Sequence, residues 1–240
     1  IPSRDHTERL LNLPVSESDG ERVIEASKHV HIPAQNYRIP GDYSAAAFWL
    51  VAGSIVPDSE IQLPNVGLNP TRIASLNILK EMGADISIDT DPAPFAEPVG
   101  SLTVRSSSLK GFDIPVEWIP NTIDELPILA VAMAFAEGTS RIKGAEELRH
   151  KETDRIMAIA KLLNAIGAQY KELPDGLEIV GNTDLSFKSA SFESFHDHRI
   201  AMASAVASLR GLDYSIIHDA EAAAVSYPDF WTHLNTLSVS

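Results

Sequence analysis

Apolar residues run almost without interruption through three stretches of the chain, and each stretch begins directly after an acidic residue. The first is Asp42-Tyr43-Ser44-Ala45-Ala46-Ala47-Phe48-Trp49-Leu50. The second is Asp124-Glu125-Leu126-Pro127-Ile128-Leu129-Ala130-Val131-Ala132, and the third Asp197-His198-Arg199-Ile200-Ala201-Met202-Ala203. Their starts lie roughly 70 to 80 residues apart, a spacing that suits a repeating unit of several elements. Apolar nearly all round, these stretches predict helices buried in a domain centre, since a surface helix keeps a polar face.

The first two are each followed by an amphipathic helix that stops at Gly-Ala and leads into a strand: Ile73 to Met82 before Gly83-Ala84, and Ile156 to Ile166 before Gly167-Ala168. Glycine just past the last periodic residue is the expected helix stop. The third unit has its counterpart in Pro228 to Leu237. Short alternating or β-branched runs predict strands at Glu60 to Leu63, Leu102 to Val104, Ser140 to Ile142, Leu177 to Val180 and Tyr214 to Ile217. The fold class is therefore α/β (α+β), with repeated βαβαββ units, buried Ala-rich helices and outer sheets. Residues 1–40, with one helix at Thr7 to Leu13 and a polar turn at Ser16 to Gly20, stand apart from residues 41–240 and read as the tail of a preceding domain, joined near Pro40.

Composition narrows the function. Lys and Arg number 19 against 33 Asp and Glu, a formal charge of -14, which opposes non-specific attraction to nucleic acid or an anionic membrane. An anionic ligand therefore needs a local basic cluster. With 0 cysteines the chain has no disulfide, thiolate metal site or cysteine nucleophile. No apolar run reaches the roughly 18 residues of a membrane helix, and no signal core follows a charged N-terminus; the expectation is a soluble, cytoplasmic protein. The start at Ile1, running straight into a helix, is how a truncated or processed chain begins.

The densest candidate site is Leu148-Arg149-His150-Lys151-Glu152-Thr153-Asp154-Arg155. In helical geometry Lys151 and Arg155, four apart, would share a face with Glu152 beside it. A solvated, salt-bridged helix start would read the same way. Asp124 is either a helix cap or a catalytic carboxylate. Asp197-His198-Arg199, after His196, has a superficial look of metal ligands, but the following helix offers no third ligand at suitable spacing, and Arg199 at a helix start suits an anion better. Ser3-Arg4-Asp5-His6-Thr7-Glu8 alone says helix cap, and Asn69-Pro70-Thr71-Arg72 reads first as a turn into a helix and second as a site. Walker loops, dinucleotide glycine fingerprints and nucleophile elbows are absent from the sequence.

Taken in order, Ser3 to Glu8, Pro40-Gly41-Asp42, Asn69 to Arg72, Ile123 to Gly138, Glu147 to Ile156, Asp197 to Met202 and Ser226-Tyr227-Pro228-Asp229-Phe230 resemble the 5-enolpyruvylshikimate-3-phosphate synthase family along essentially the whole chain. The resemblance implies two similar domains of three βαβαββ units with a cleft between them. The chain would then hold a remnant of the upper domain (1–40) and a lower domain (41–240) lacking its N-terminal strand. It also implies transfer of the enolpyruvyl group of phosphoenolpyruvate to the 5-hydroxyl of shikimate 3-phosphate, with no cofactor and no metal. Asp124 would hold and deprotonate the hydroxyl, Glu152 exchange the proton at C3, and Lys151 sit between them. Arg155 and Arg199 would clamp phosphoenolpyruvate, and Arg4 would reach shikimate 3-phosphate.

One position departs from many members. Val225 stands where they place another cation, as in some branches of the family. The sister enzyme that acts on a UDP-amino sugar shares the Lys-Glu-x-Asp-Arg and Asp-His-Arg segments, but Ser3 to Glu8 and Asn69 to Arg72 favour the shikimate enzyme. A further expectation is a half-enzyme that cannot turn over alone, because its partner would be the missing N-terminal half.

Overall fold

The three Ala-rich stretches fold as predicted, and they do so because side chains this small and apolar let helices bury every face. The computed structural model describes residues 3–32, 34, 36–37, 39–90 and 97–237. It begins with α1 (His6–Leu11) and an antiparallel hairpin of β1 (Val15–Ser18) and β2 (Glu21–Ile24). No side chain of α1 is buried and every hairpin strand residue is exposed.

The first repeat comprises α2 (Tyr43–Ile55), β3 (Glu60–Gly67), α3 (Ala74–Glu81), β4 (Asp85–Thr90) and β5 (Val99–Arg105). The second comprises a one-turn α4 (Ile119–Thr122), α5 (Leu126–Ala134), β6 (Gly138–Ile142), α6 (Arg155–Ala165), β7 (Gln169–Leu173) and β8 (Gly176–Gly181). The third has β9 (Ser191–Glu193), α7 (His198–Ser208), β10 (Ile216–His218) and α8 (Phe230–Leu237).

Every residue of α2 except Ala45 is buried, as is every residue of α5, so both are encased by their neighbours. The amphipathic α3 and α6 lie outside them, closed by Gly83 and Gly167 at φ of 91° and 75°, a conformation without steric penalty only for glycine. The sheets are antiparallel, in the orders β3-β5-β4 and β6-β8-β7, whereas β9 and β10 pair in parallel. The first strand of a unit is reduced to isolated parallel bridges in the first two, Gly41 with Val66 and Lys110 and Asp113 with Glu137 and Arg141.

All five predicted strands form with extended or displaced bounds, and two of the changes have a local cause. β3 extends beyond Leu63 to Gly67, across an irregularity between Leu63 and Val66. Pro64 has no N–H to donate there, Asn65 takes φ 57°, and the Asn65 carbonyl accepts instead from the Gly41 N–H at 2.6 Å. The run expected from Tyr214 becomes a strand only at Ile216, because Tyr214 is 94% exposed and has no layer to pack on.

Candidate active site

An acidic residue before each buried helix suggested a cap, and two of the three are caps. Asp42 Oδ1 accepts from the Ser44 N–H at 2.9 Å, and Asp197 Oδ1 from the Arg199 N–H at 2.8 Å. The second helix differs. Glu125 occupies the cap position of α5 without a side-chain cap bond, and Asp124 is left free of helix duty. The cap reading of Asp124 is thus corrected.

Asp124 instead sits in a ring of four guanidinium groups from four separate segments. Arg4 Nη2 donates to Asp124 Oδ2 at 2.5 Å. Arg155 and Arg199 each approach its carboxylate to 3.7 Å and Arg72 to 3.9 Å, while Arg199 Nη1 also donates to the Asp124 carbonyl at 3.1 Å. Partial burial pushes the pKa of this carboxyl up, but the field of Arg199 and the bond and charge of Arg4 outweigh it and hold the group below its ordinary value. This is the local basic cluster that an acidic chain needs in order to hold an anion.

Arg155 is the best anchored of the four. Its side chain is 1% exposed; Nε donates to Asp197 Oδ2 at 2.7 Å and Nη2 to Glu152 Oε2 at 2.6 Å. Asp197, fully buried, both caps α7 and holds Arg155, whereas the Glu152 side chain is half exposed. Lys151 is placed differently from the sequence expectation of a shared helical face with Arg155. A 3-10 turn, Glu146–His150, ends at Lys151 in extended backbone, and α6 starts afresh at Arg155 with Asp154 accepting from the Met157 N–H at 3.0 Å. The Lys151 ammonium pairs with Glu147 at 2.5 Å and shares no hydrogen bond or ion pair with Asp124 or Glu152.

Behind Asp124 lies a buried layer that sequence reasoning missed. Glu125 Oε1 accepts from Ser44 Oγ at 2.6 Å and from Arg72 Nη2 at 3.1 Å, and the same Arg72 nitrogen donates to Ser44 Oγ at 2.6 Å. Burial pushes the Glu125 carboxyl upward against the pull of Arg72. A second acidic residue directly before an apolar helix, in Asp-Glu-Leu-Pro, was the available signal. Arg4 is the exposed member of the ring, whereas Arg72, Arg155 and Arg199 are largely buried. A cavity of about 640 Å³ lies elsewhere, beside Trp49, Ile61, Leu63 and Tyr227, and none of the four arginines lines it.

The fold is that of an enolpyruvyl transferase-like domain: the enolpyruvyl transferase NikO from Streptomyces tendae shares it at TM-score 0.70 and 19% identity, covering 97% of this chain and 51% of that one. The family model for EPSP synthase (3-phosphoshikimate 1-carboxyvinyltransferase) matches residues 1–234. The chain belongs to that family. It is 53% identical over 239 residues to the 3-phosphoshikimate 1-carboxyvinyltransferase of Salinibacter ruber, covering 100% of this chain and 55% of the relative. The corresponding protein of Synechocystis sp. is 48% identical over 244 residues, with 98% and 53% covered. The solved EPSP synthase from Acinetobacter baumannii superposes with TM-score 0.87 at 36% identity, covering 98% of this chain and 54% of that one. The chain thus spans about half the length of the relatives it matches.

Proposed function

We propose that this chain supplies one wall of an active site that transfers the enolpyruvyl group of phosphoenolpyruvate to the 5-hydroxyl of shikimate 3-phosphate and releases phosphate. The observation that carries the reading is the ring of Arg4, Arg72, Arg155 and Arg199 around Asp124. Two phosphates and a carboxylate must be held while one hydroxyl loses a proton and one carbon gains it, and planar guanidinium groups suit such anions.

Asp124 takes the proton of the attacking hydroxyl as its oxygen bonds to C2 of phosphoenolpyruvate. Glu152, half exposed and able to exchange protons with solvent, delivers one to C3. The tetrahedral adduct then loses phosphate from C2, and C3 returns its proton. Arg155 and Arg199 hold phosphoenolpyruvate, Arg4 leaves Asp124 for shikimate 3-phosphate, and Lys151 leaves Glu147 to reach the reacting oxygens. The reaction draws on these side chains without a cofactor.

Residues 1–40 are read as the remnant of a preceding domain and 41–240 as a domain of three units. The exposed hairpin and α1 support that division. No described helix is long and apolar enough to cross a membrane, which fits a cytoplasmic enzyme. With the ring open on one side, water screens its charges, so the chain needs the remaining half of the enzyme for turnover. The test is phosphate release from the two substrates by this chain alone and with the N-terminal half supplied in trans. Activity only on complementation, abolished by Asp124→Asn and reduced by Glu152→Gln, is expected. Turnover by the chain alone would overturn the dependence, and silence of the reconstituted pair with both substrates would overturn the reaction.

A further inference from the structure

Arg4 reaches Asp124 from a segment that contributes no side chain of its helix to the core, and its own backbone is held at φ 54°. Something other than hydrophobic packing must keep it there. Two motifs that were ambiguous in the sequence meet at that place. Asn69, 1% exposed, donates from Nδ2 to Asp5 Oδ1 at 2.8 Å and to Glu97 Oε2 at 3.0 Å. The Thr71 hydroxyl, 3.3 Å from Asp5 Oδ1 and 2.8 Å from Asn69 Oδ1, shares its single proton between them, and Glu97, itself buried, bonds His6 Nδ1 at 2.8 Å. The side-chain oxygen of Asn69 is occupied separately, by the Thr71 N–H at 2.9 Å and the Thr71 hydroxyl at 2.8 Å.

We infer that Asn69 is the positioning residue that locks the segment bearing Arg4 onto the domain, so that the two motifs Ser3 to Glu8 and Asn69 to Arg72 form one latch. An amide suits this place because it donates two hydrogens and, unlike a cationic side chain, also accepts through its oxygen, here from the Thr71 N–H. Asp5 and Glu97 are both acceptors, and a donor inserted between them turns mutual repulsion into two bonds. Arg9, at 3.0 Å, and Arg22, at 3.7 Å, close the outer side of Asp5. Although burial opposes it, these bonds from Arg9, Asn69 and Thr71 bring the Asp5 carboxyl down to about 2, so it remains an acceptor at all ordinary pH. Asn69 touches neither Asp124 nor Arg4; it acts by fixing the residue next to Arg4.

The chain has 0 cysteines, so paired spin labels can be placed at will. Labels at Thr7 and Lys80, both exposed, report α1 against α3, and a control pair at Lys80 and Lys161, also exposed, reports the domain alone. Asn69→Asp keeps the oxygen that makes the Thr71 turn and replaces the donor by a third carboxylate. The expected result is a Thr7–Lys80 distance distribution broadened about threefold as docked and released states mix, with the control pair unmoved. The carboxyl titration of Asp124, followed by carbon NMR, should move upward as Arg4 departs. Asp5→Ala, outside the hydrophobic core, should do the same should Asn69→Asp fail to fold. A narrow Thr7–Lys80 distribution retained in both variants, or an Asp124 titration that stays in place, would overturn the latch. The consequence for turnover, a raised KM for the phosphorylated acceptor, rests on the proposed reaction; the distance measurement does not.

Discussion

Arginine is used in opposite ways at the C-terminal and the N-terminal ends of the helices. At the C-terminal ends Arg210 works alone: Nη1 donates to the Ile55 carbonyl at 2.7 Å, Nη2 to the Thr183 carbonyl at 3.2 Å, and the guanidinium stands 4.9 Å from the centre of the Phe135 ring. The Ile55 carbonyl is one that a helix end leaves unpaired, where the dipole welcomes a cation, and the Thr183 carbonyl belongs to the turn after β8. At the N-terminal ends, Arg155 and Arg199 occupy first-turn positions of α6 and α7, where the dipole disfavours them. Carboxylates must therefore hold them, and Asp197, Glu152, Glu125 and Asp124 do so. A cation whose position agrees with the local field is a fastener, whereas one held against it keeps its attraction for an incoming anion.

The comparison breaks most severely at Arg155. Arg155→Met leaves Asp197 buried and unpaired, and urea unfolding should show a loss of about 3–5 kcal/mol. Next comes Arg210→Met at the opposite end, where the loss of two carbonyl bonds and the ring contact should cost about 2 kcal/mol, with binding of inorganic phosphate by calorimetry unchanged. Arg199→Met should reverse that pattern. Asp197 still caps α7 through the backbone, so stability should fall by less than about 1 kcal/mol while phosphate affinity drops by about tenfold.

The smallest effects are those of pH. Asp124 has its folded value depressed, so its contribution to stability is present above its unfolded value, near 4, and is lost as pH falls through the lower folded value. Asp124→Asn should therefore destabilise the chain at pH 7, with the difference shrinking as pH falls below the unfolded value, as thermal melts across the range would show. Asp5 follows the same sign, with its contribution fading from about 4 down to about 2, so Asp5→Asn should flatten the acid side of the stability curve.

Much of this was legible in the chain itself. The length and apolarity of Asp42 to Leu50, Asp124 to Ala132 and Asp197 to Ala203 allowed only buried helices, and Gly83 and Gly167 marked where the outer helices stop, because those signals are local in the backbone. The motif order pointed to the family, which the comparisons bear out. The residues Asp124, Arg155 and Arg199 could be named as candidates, and the structure brings them together with Arg4. What local pattern could not supply was which charges face which. Spacing put Lys151 and Arg155 on one helical face, but the helix begins only at Arg155 and Lys151 turns to Glu147.

Length, repeat, buried helices and the types of side chain available for chemistry were determined by the sequence alone, since each depends on residues near one another in the chain. Only the tertiary structure decided that Asp124 is not a cap, that Arg72 and Glu125 stand behind it, and that Asn69 joins Asp5 to Glu97. Those pairings span 28 to 81 residues from Ser44, Asp5 and Glu97 to their partners. Coulomb and hydrogen-bond energies depend on distance in space, which a chain acquires only when its helices pack.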